Sequence, residues 1–180
     1  MLNRKTLVIL LTIAILVASA TTVIASSGRR NHKLPQANEQ WEKLYEQASG
    51  LVIEALYSQD EFTRQQLLRQ AIPVFEEALT LAPDEVNTWN NLAATLYLVG
   101  DKDNALKEYT ALIQAHPEVS SAYLGRGHIY EEKGEIRKAI QDYNIYLHLI
   151  ADRPGDVANQ NRMETQKLID DLKKELIRRR

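Results

Sequence analysis

Residues 86–119 read VNTWNNLAATLYLVGDKDNALKEYTALIQAHPEV, and residues 120–153 read SSAYLGRGHIYEEKGEIRKAIQDYNIYLHLIADR. Laid over one another, these 34-residue stretches set Trp89 on Tyr123, Gly100 on Gly134, Ala105 on Ala139 and Tyr109 on Tyr143. The same interval reaches back to Ala71, Phe75 and Pro83, which stand 34 residues before Ala105, Tyr109 and Pro117. So many unlike residue types at one interval mark a repeat architecture, in which each unit buries its apolar face against its neighbour.

Each copy reads as two antiparallel helices. Trp89, Leu92, Ala93 and Leu96 fall at the 3–4 spacing of one helical face, and Gly100-Asp101 breaks the chain and caps the next helix. Ala105, Tyr109 and Leu112 then mark a second face. The alanine lets two helices approach closely, the ring one turn later fills the remaining space, and Pro117 stops the helix because it has no N–H to continue the ladder.

These positions resemble the tetratricopeptide repeat (TPR) family, whose W, L, G, Y, A, F, A, P pattern is met by Trp89, Leu92, Ala93, Leu96, Ala105, Tyr109, Leu112 and Pro117. The next copy supplies Tyr123, Arg126, Gly127, Tyr130, Ala139, Tyr143 and Tyr146, with Ala151 where the terminating proline would stand. The resemblance implies an all-α fold, a right-handed TPR-type solenoid of about three helical hairpins with a C-terminal capping helix, preceded by one N-terminal hydrophobic helix.

The organisation expected along the chain rests on these landmarks. Residues 1–28 form a signal peptide or transmembrane anchor, 29–37 a linker, 38–85 an irregular first repeat with lengthened helices, 86–119 and 120–153 two regular repeats, and 154–180 the capping helix. The first repeat is irregular because Trp41 precedes Ala71 by 30 residues, where Trp89 precedes Ala105 by 16. Trp41, Leu44, Tyr45, Ala48, Leu51, Val52 and Ala55 suggest a lengthened first helix, with a turn at Ser58-Gln59-Asp60. The next helix has two possible starts. Near Asp60 it would carry Pro73 in its interior, whereas near Leu68 the proline falls close to the first turn.

Charge is distributed unevenly. The chain has 180 residues, no cysteine and a net charge of −2, and 44 of its 46 charged side chains lie from Arg29 onward. Disulfide scaffolds and thiol enzymes are thereby excluded. Behind Arg4 and Lys5, residues 6–28 carry no charge, and as a helix they would span roughly 34 Å, enough to cross a bilayer core. The small residues at Ala20 and Ala25 offer cleavage sites, so a cleaved secretory signal and a retained anchor both fit. The expected location is a membrane, with a single-pass N-terminal anchor and the repeats on the extracytoplasmic side; the alternative is a secreted or periplasmic body after cleavage. At the other end Met163, Leu168, Ile169, Leu172, Leu176 and Ile177 lie along a polar helix expected to cap the last repeat. Residues 162–180 carry a net +3, against −7 from 29 to 161, too little basic charge for stable nucleic-acid binding.

Catalytic chemistry has no candidate constellation. His32, His116, His128 and His148 have no metal-ligand spacing with a partner, and no glycine-rich phosphate loop or nucleophile elbow occurs. No enzyme activity, metal or cofactor is expected. The TPR resemblance instead implies a partner-binding groove lined by the first helix of each pair. Carried over position by position, it comprises Asn87, Asn90, Asn91, Ala94, Tyr97 and Leu98 in one repeat, and Ser121, Leu124, Gly125, His128, Glu131 and Glu132 in the next. In the family the position of Asn91 holds a ligand's backbone, which an amide does by donating and accepting at once. The two sets contain no lysine or arginine, so the clamp by which some family members hold an acidic chaperone tail is missing, and a neutral or basic segment is favoured. The expected function is a non-catalytic adaptor or scaffold, membrane-tethered or exported, that holds a peptide segment or helix of a protein partner during complex assembly. The alternative is a self-associating envelope subunit, a homo-oligomer with no external groove ligand.

Overall fold

The computed structural model describes residues 36–179, and the expected N-terminal anchor or signal lies outside them. Among the described residues seven α-helices succeed one another: α1 (Gln36–Tyr57), α2 (Glu61–Leu81), α3 (Val86–Leu98), α4 (Lys102–Ala115), α5 (Ser120–Glu132), α6 (Ile136–Leu149) and α7 (Asp156–Arg178). None of these is long and apolar enough to cross a membrane. The chain divides into two units between Asp101 and Lys102.

In the first unit, α1 and α2 present matching 3-4-3 rows. Tyr45, Ala48, Val52 and Ala55 on α1, and Leu68, Ala71, Phe75 and Ala78 on α2, are all buried. The four alanines let the backbones approach, while the Tyr45 and Phe75 rings fill the space between, their centroids 6.4 Å apart. Burying a phenylalanine completely, as here, stabilises by about 2–3 kcal/mol. At 22 and 21 residues these helices exceed the 13 and 14 of α3 and α4, so both are lengthened.

The Asp60 carboxylate decides where α2 begins. Its Oδ2 accepts from the Thr63 backbone N–H at 2.7 Å and from the Thr63 hydroxyl at 2.6 Å, an N-cap that starts the helix at Glu61. Pro73 therefore lies inside α2, the first of the two sequence readings. It is tolerated because Pro73 and Arg69 both face solvent, so water can serve the carbonyl four residues back that the ring cannot reach.

α3 ends in a tight turn. The Gly100 N–H donates to the Tyr97 carbonyl and the Asp101 N–H to that of Leu96, at 3.0 and 2.9 Å, with Gly100 at φ 90°. The second unit uses the same device after α5, where Gly134 at φ 74° donates to Glu131 and Glu135 donates to Tyr130. A side chain at either glycine would be strained in this left-handed conformation, which explains why glycine recurs at this place in the period.

In the second unit, α4, α5, α6 and α7 pack in sequence order. Gly125 brings α5 against α4 so closely that an added Cβ would overlap the Tyr109 ring, and one on Gly127 would lie 2.7 Å from Tyr143. Ile136, Ala139 and Tyr143 of α6 form one buried cluster with Ile169 and Leu172 of α7, and Leu168 and Leu176 pack against it. α7 thus covers the apolar face of the last hairpin. Its second turn is tied down by Arg162, whose Nη1 donates to the carbonyls of Ile150 and Arg153 at 2.9 Å each.

Candidate functional site

The candidate partner-binding residues lie on α3 in the first unit and on α5 in the second. On α3, Asn87 is exposed, Tyr97 and Leu98 are half-buried, and Asn90, Asn91 and Ala94 are buried. The side chain of Asn91 is engaged by its own unit, since Nδ2 donates to the Tyr45 hydroxyl at 3.3 Å. One turn earlier the Trp41 indole N–H donates to Thr88 Oγ1 at 3.1 Å, and Trp41 stacks on Tyr45 with centroids 5.7 Å apart. The irregular helix α1 therefore supplies both an apolar row to α2 and a polar row to α3. Burial pushes the Tyr45 hydroxyl pKa above its ordinary value of 10.0, with hydrogen bonding from Asn91 pulling the other way. The Leu98 carbonyl accepts from Gln65 Nε2 at 3.4 Å.

On α5, Ser121 and Leu124 are half-buried, and Leu124 packs against the Tyr123–Tyr146–Ile150 cluster. His128 and Glu131, three residues apart on one face, converge on Tyr143 of α6. The Tyr143 hydroxyl donates to Glu131 Oε2 at 2.8 Å and lies 2.9 Å from His128 Nδ1. A phenol has one proton to give, so while it donates to the carboxylate its oxygen can accept from His128 Nδ1 when that nitrogen carries the proton. The ring is further held edge-on to Tyr143 at 5.4 Å between centroids. Glu132 is exposed and pairs with Lys102 Nζ at 2.9 Å. Lys102 is thus a cation beside the α5 positions that inspection of the first helices alone misses.

A second polar cluster was not singled out in the sequence. Arg126 Nε and Nη2 donate to the two oxygens of Asp142 at 2.8 Å each, and the Asp142 side chain is only 4% exposed. The guanidinium also lies 5.8 Å from the ring centroids of both Tyr123 and Tyr130. Its hydrogen bonds to Asp142 raise the Arg126 pKa despite the burial that opposes it. The period held the signal, because Arg126 stands 34 residues after the buried Leu92, a charge in a core register. Among the described residues no group of three or more His, Cys, Asp or Glu side chains is placed to hold a metal ion.

In each unit, then, polar side chains of one helix are fixed by a tyrosine of another, those of α3 by Tyr45 of α1 and those of α5 by Tyr143 of α6. Residues 95–156 match a tetratricopeptide repeat family model. This TPR match runs from the last turn of α3 to the start of α7. The fold is similar to the Arabidopsis OM64 TPR domain, with a TM-score of 0.56 at 18% identity over 73% of this chain and 98% of that one. It is also similar to the Sgt2 TPR domain from Aspergillus fumigatus, with a TM-score of 0.54 at 16% identity over 82% and 88% of the two chains. No curated protein matches the sequence. TPR folds of this kind generally mediate protein–protein interaction and are typically non-catalytic.

Proposed function

We propose that this protein is a non-catalytic adaptor that holds a segment of a protein partner on the first-helix faces of its TPR pairs, and that its uncharged N-terminal segment tethers it to a membrane or exports it. The observation that supports this most directly is the preorganised set on α5. His128 and Glu131 are fixed through Tyr143 in one orientation, so a partner would meet polar groups whose ordering cost is already met by folding. On α3, Asn87 and Tyr97 offer an exposed amide and a half-buried amphipathic ring. The partner segment is neutral to weakly basic, because the candidate positions contain no lysine or arginine and Lys102 beside them is paired with Glu132.

Site-specific photocrosslinking in living cells tests this without disturbing the core. A photoreactive residue at Asn87, Tyr97 or Glu132 is expected to capture a common partner, while the same residue at Lys107 or Gln141, on the second helices, is not. Capture of the same protein from both sets would refute binding on the first-helix faces. Mass spectrometry of the mature N-terminus in the same cells separates a cleaved signal from a retained anchor.

A further inference from the structure

Each unit carries a projecting apolar feature, and the two stand among charges of opposite sign. In the first unit Tyr57 closes α1 and Phe62 lies at the start of α2, and they are 78% and 76% exposed. The turn between them is firmly built. Asp60 caps α2, and Arg64 donates from Nη2 to the Ser58 carbonyl at 2.7 Å while its Nη1 pairs with Glu61. Glu54, Asp60 and Glu61 are exposed around these rings, whereas the Arg64 side chain is only 12% exposed, which leaves the rim acidic. In the second unit, Ile177 near the end of α7 is 72% exposed and is followed directly by the exposed Arg178 and Arg179, the latter paired with Glu175 one turn back.

We infer that the α1–α2 turn of one copy docks on the C-terminal end of α7 of a second copy. Ile177 packs against Tyr57 and Phe62, and Arg178 and Arg179 meet Glu54, Asp60 and Glu61, with guanidinium groups also suited to the tyrosine and phenylalanine faces. Charge selects this occupant: turn against turn would oppose acidic rims, and tail against tail would oppose arginines. The contact is therefore heterologous, so each copy keeps one unused turn or tail and assembly proceeds to a ring or an open chain. This surface is separate from the first-helix faces and holds whether or not a partner binds there.

The cysteine-free chain allows a direct test. Two full-length copies with different tags, one carrying Gln59→Cys in the turn and the other Asp170→Cys on exposed α7, are co-expressed and treated in intact cells with a short bis-maleimide. The expected result is a product that joins the two tags, with little product from either copy alone. It is expected to be lost with Tyr57→Ser/Phe62→Ser, with Arg178→Glu/Arg179→Glu/Arg180→Glu, and in permeabilised cells at high salt. Thermal transitions should shift little for both variants, because Tyr57, Phe62, Arg178 and Arg179 are exposed and the Arg179–Glu175 pair is a surface one, and the salt response tests the contact even if a variant misfolds. Absence of the mixed product, equal yields from single copies, indifference to the variants and salt, or crosslinking of the turn to another protein instead would each overturn the inference.

Discussion

Replacing Asp142 by alanine removes the acceptor of two charge-assisted hydrogen bonds of 2.8 Å and leaves the Arg126 guanidinium between α5 and α6 with no carboxylate. Hydrogen bonds to charged groups contribute about 1.5–3 kcal/mol each, so the gross loss is about 3–6 kcal/mol. Two features reduce it. The Arg126 side chain is 16% exposed, so water reaches part of it, and the Tyr123 and Tyr130 rings at 5.8 Å still stabilise the cation. The expected cost is about 3 kcal/mol, close to the lower end for breaking a buried pair. Arg126→Met should cost at least as much, because it strands a carboxylate with almost no exposure. The double variant Arg126→Met/Asp142→Leu strands nothing, and is expected to fall within about 1 kcal/mol of the native protein. Native-state hydrogen exchange read on peptides of α5 and α6 measures this locally, and 3 kcal/mol appears there as roughly 150-fold faster exchange. The reasoning fails if Asp142→Ala changes exchange less than about fivefold, or if the double variant is as fast as the product of the two singles.

Gly125→Ala and Gly127→Ala should each destabilise the second unit by about 1–3 kcal/mol, because the added methyl meets the Tyr109 or Tyr143 ring; thermal denaturation reads this, and Tyr109→Leu should restore part of the Gly125→Ala loss. Tyr45, Tyr109 and Tyr146 have hydroxyl pKa values raised by burial, so their contribution to stability is complete below the ordinary value of 10.0 and is lost as pH rises through the raised values. Unfolding followed by denaturant at increasing alkaline pH should therefore show falling stability. Pro73→Ala returns an N–H to an exposed position in the interior of α2, and should stabilise the first unit by about 1 kcal/mol, seen as a higher denaturant midpoint.

Much of the fold was legible because the period acts on backbone and packing together. Gly100 and Gly134 marked the breaks between helices, and Ala105, Ala139, Tyr109 and Tyr143 marked helix contacts, since each place in the repeat admits few residue types. The start of α2 was less legible. Hydrophobic spacing alone fitted both Asp60 and Leu68, and it was the hydrogen bonds from Thr63 to the Asp60 carboxylate that selected the earlier start. The candidate site was harder still. Position within the repeat assigned Asn91 to a partner-facing row, but its amide is engaged by Tyr45 from the one helix that departs from the period. Arg126 was visible as part of the repeat, yet its tie to Asp142 depends on how α5 crosses α6, which no interval in the sequence encodes.

In the proposed binding mode, the hydrogen bond between Asn91 and Tyr45 would give recognition on α3 the character of an exchange reaction. A ligand backbone that claims the Asn91 amide must displace the tyrosine hydroxyl, so one hydrogen bond is traded for another and little enthalpy is gained at that point. Because Asn91 and Tyr45 are both buried, a displaced hydroxyl would need a new acceptor or donor from the incoming chain. A segment able to supply both groups side by side would dock, and one offering a single group would leave the phenol with one partner fewer. In that proposed mode the native contact would act as a filter that discriminates among segments by the pairing of their polar groups.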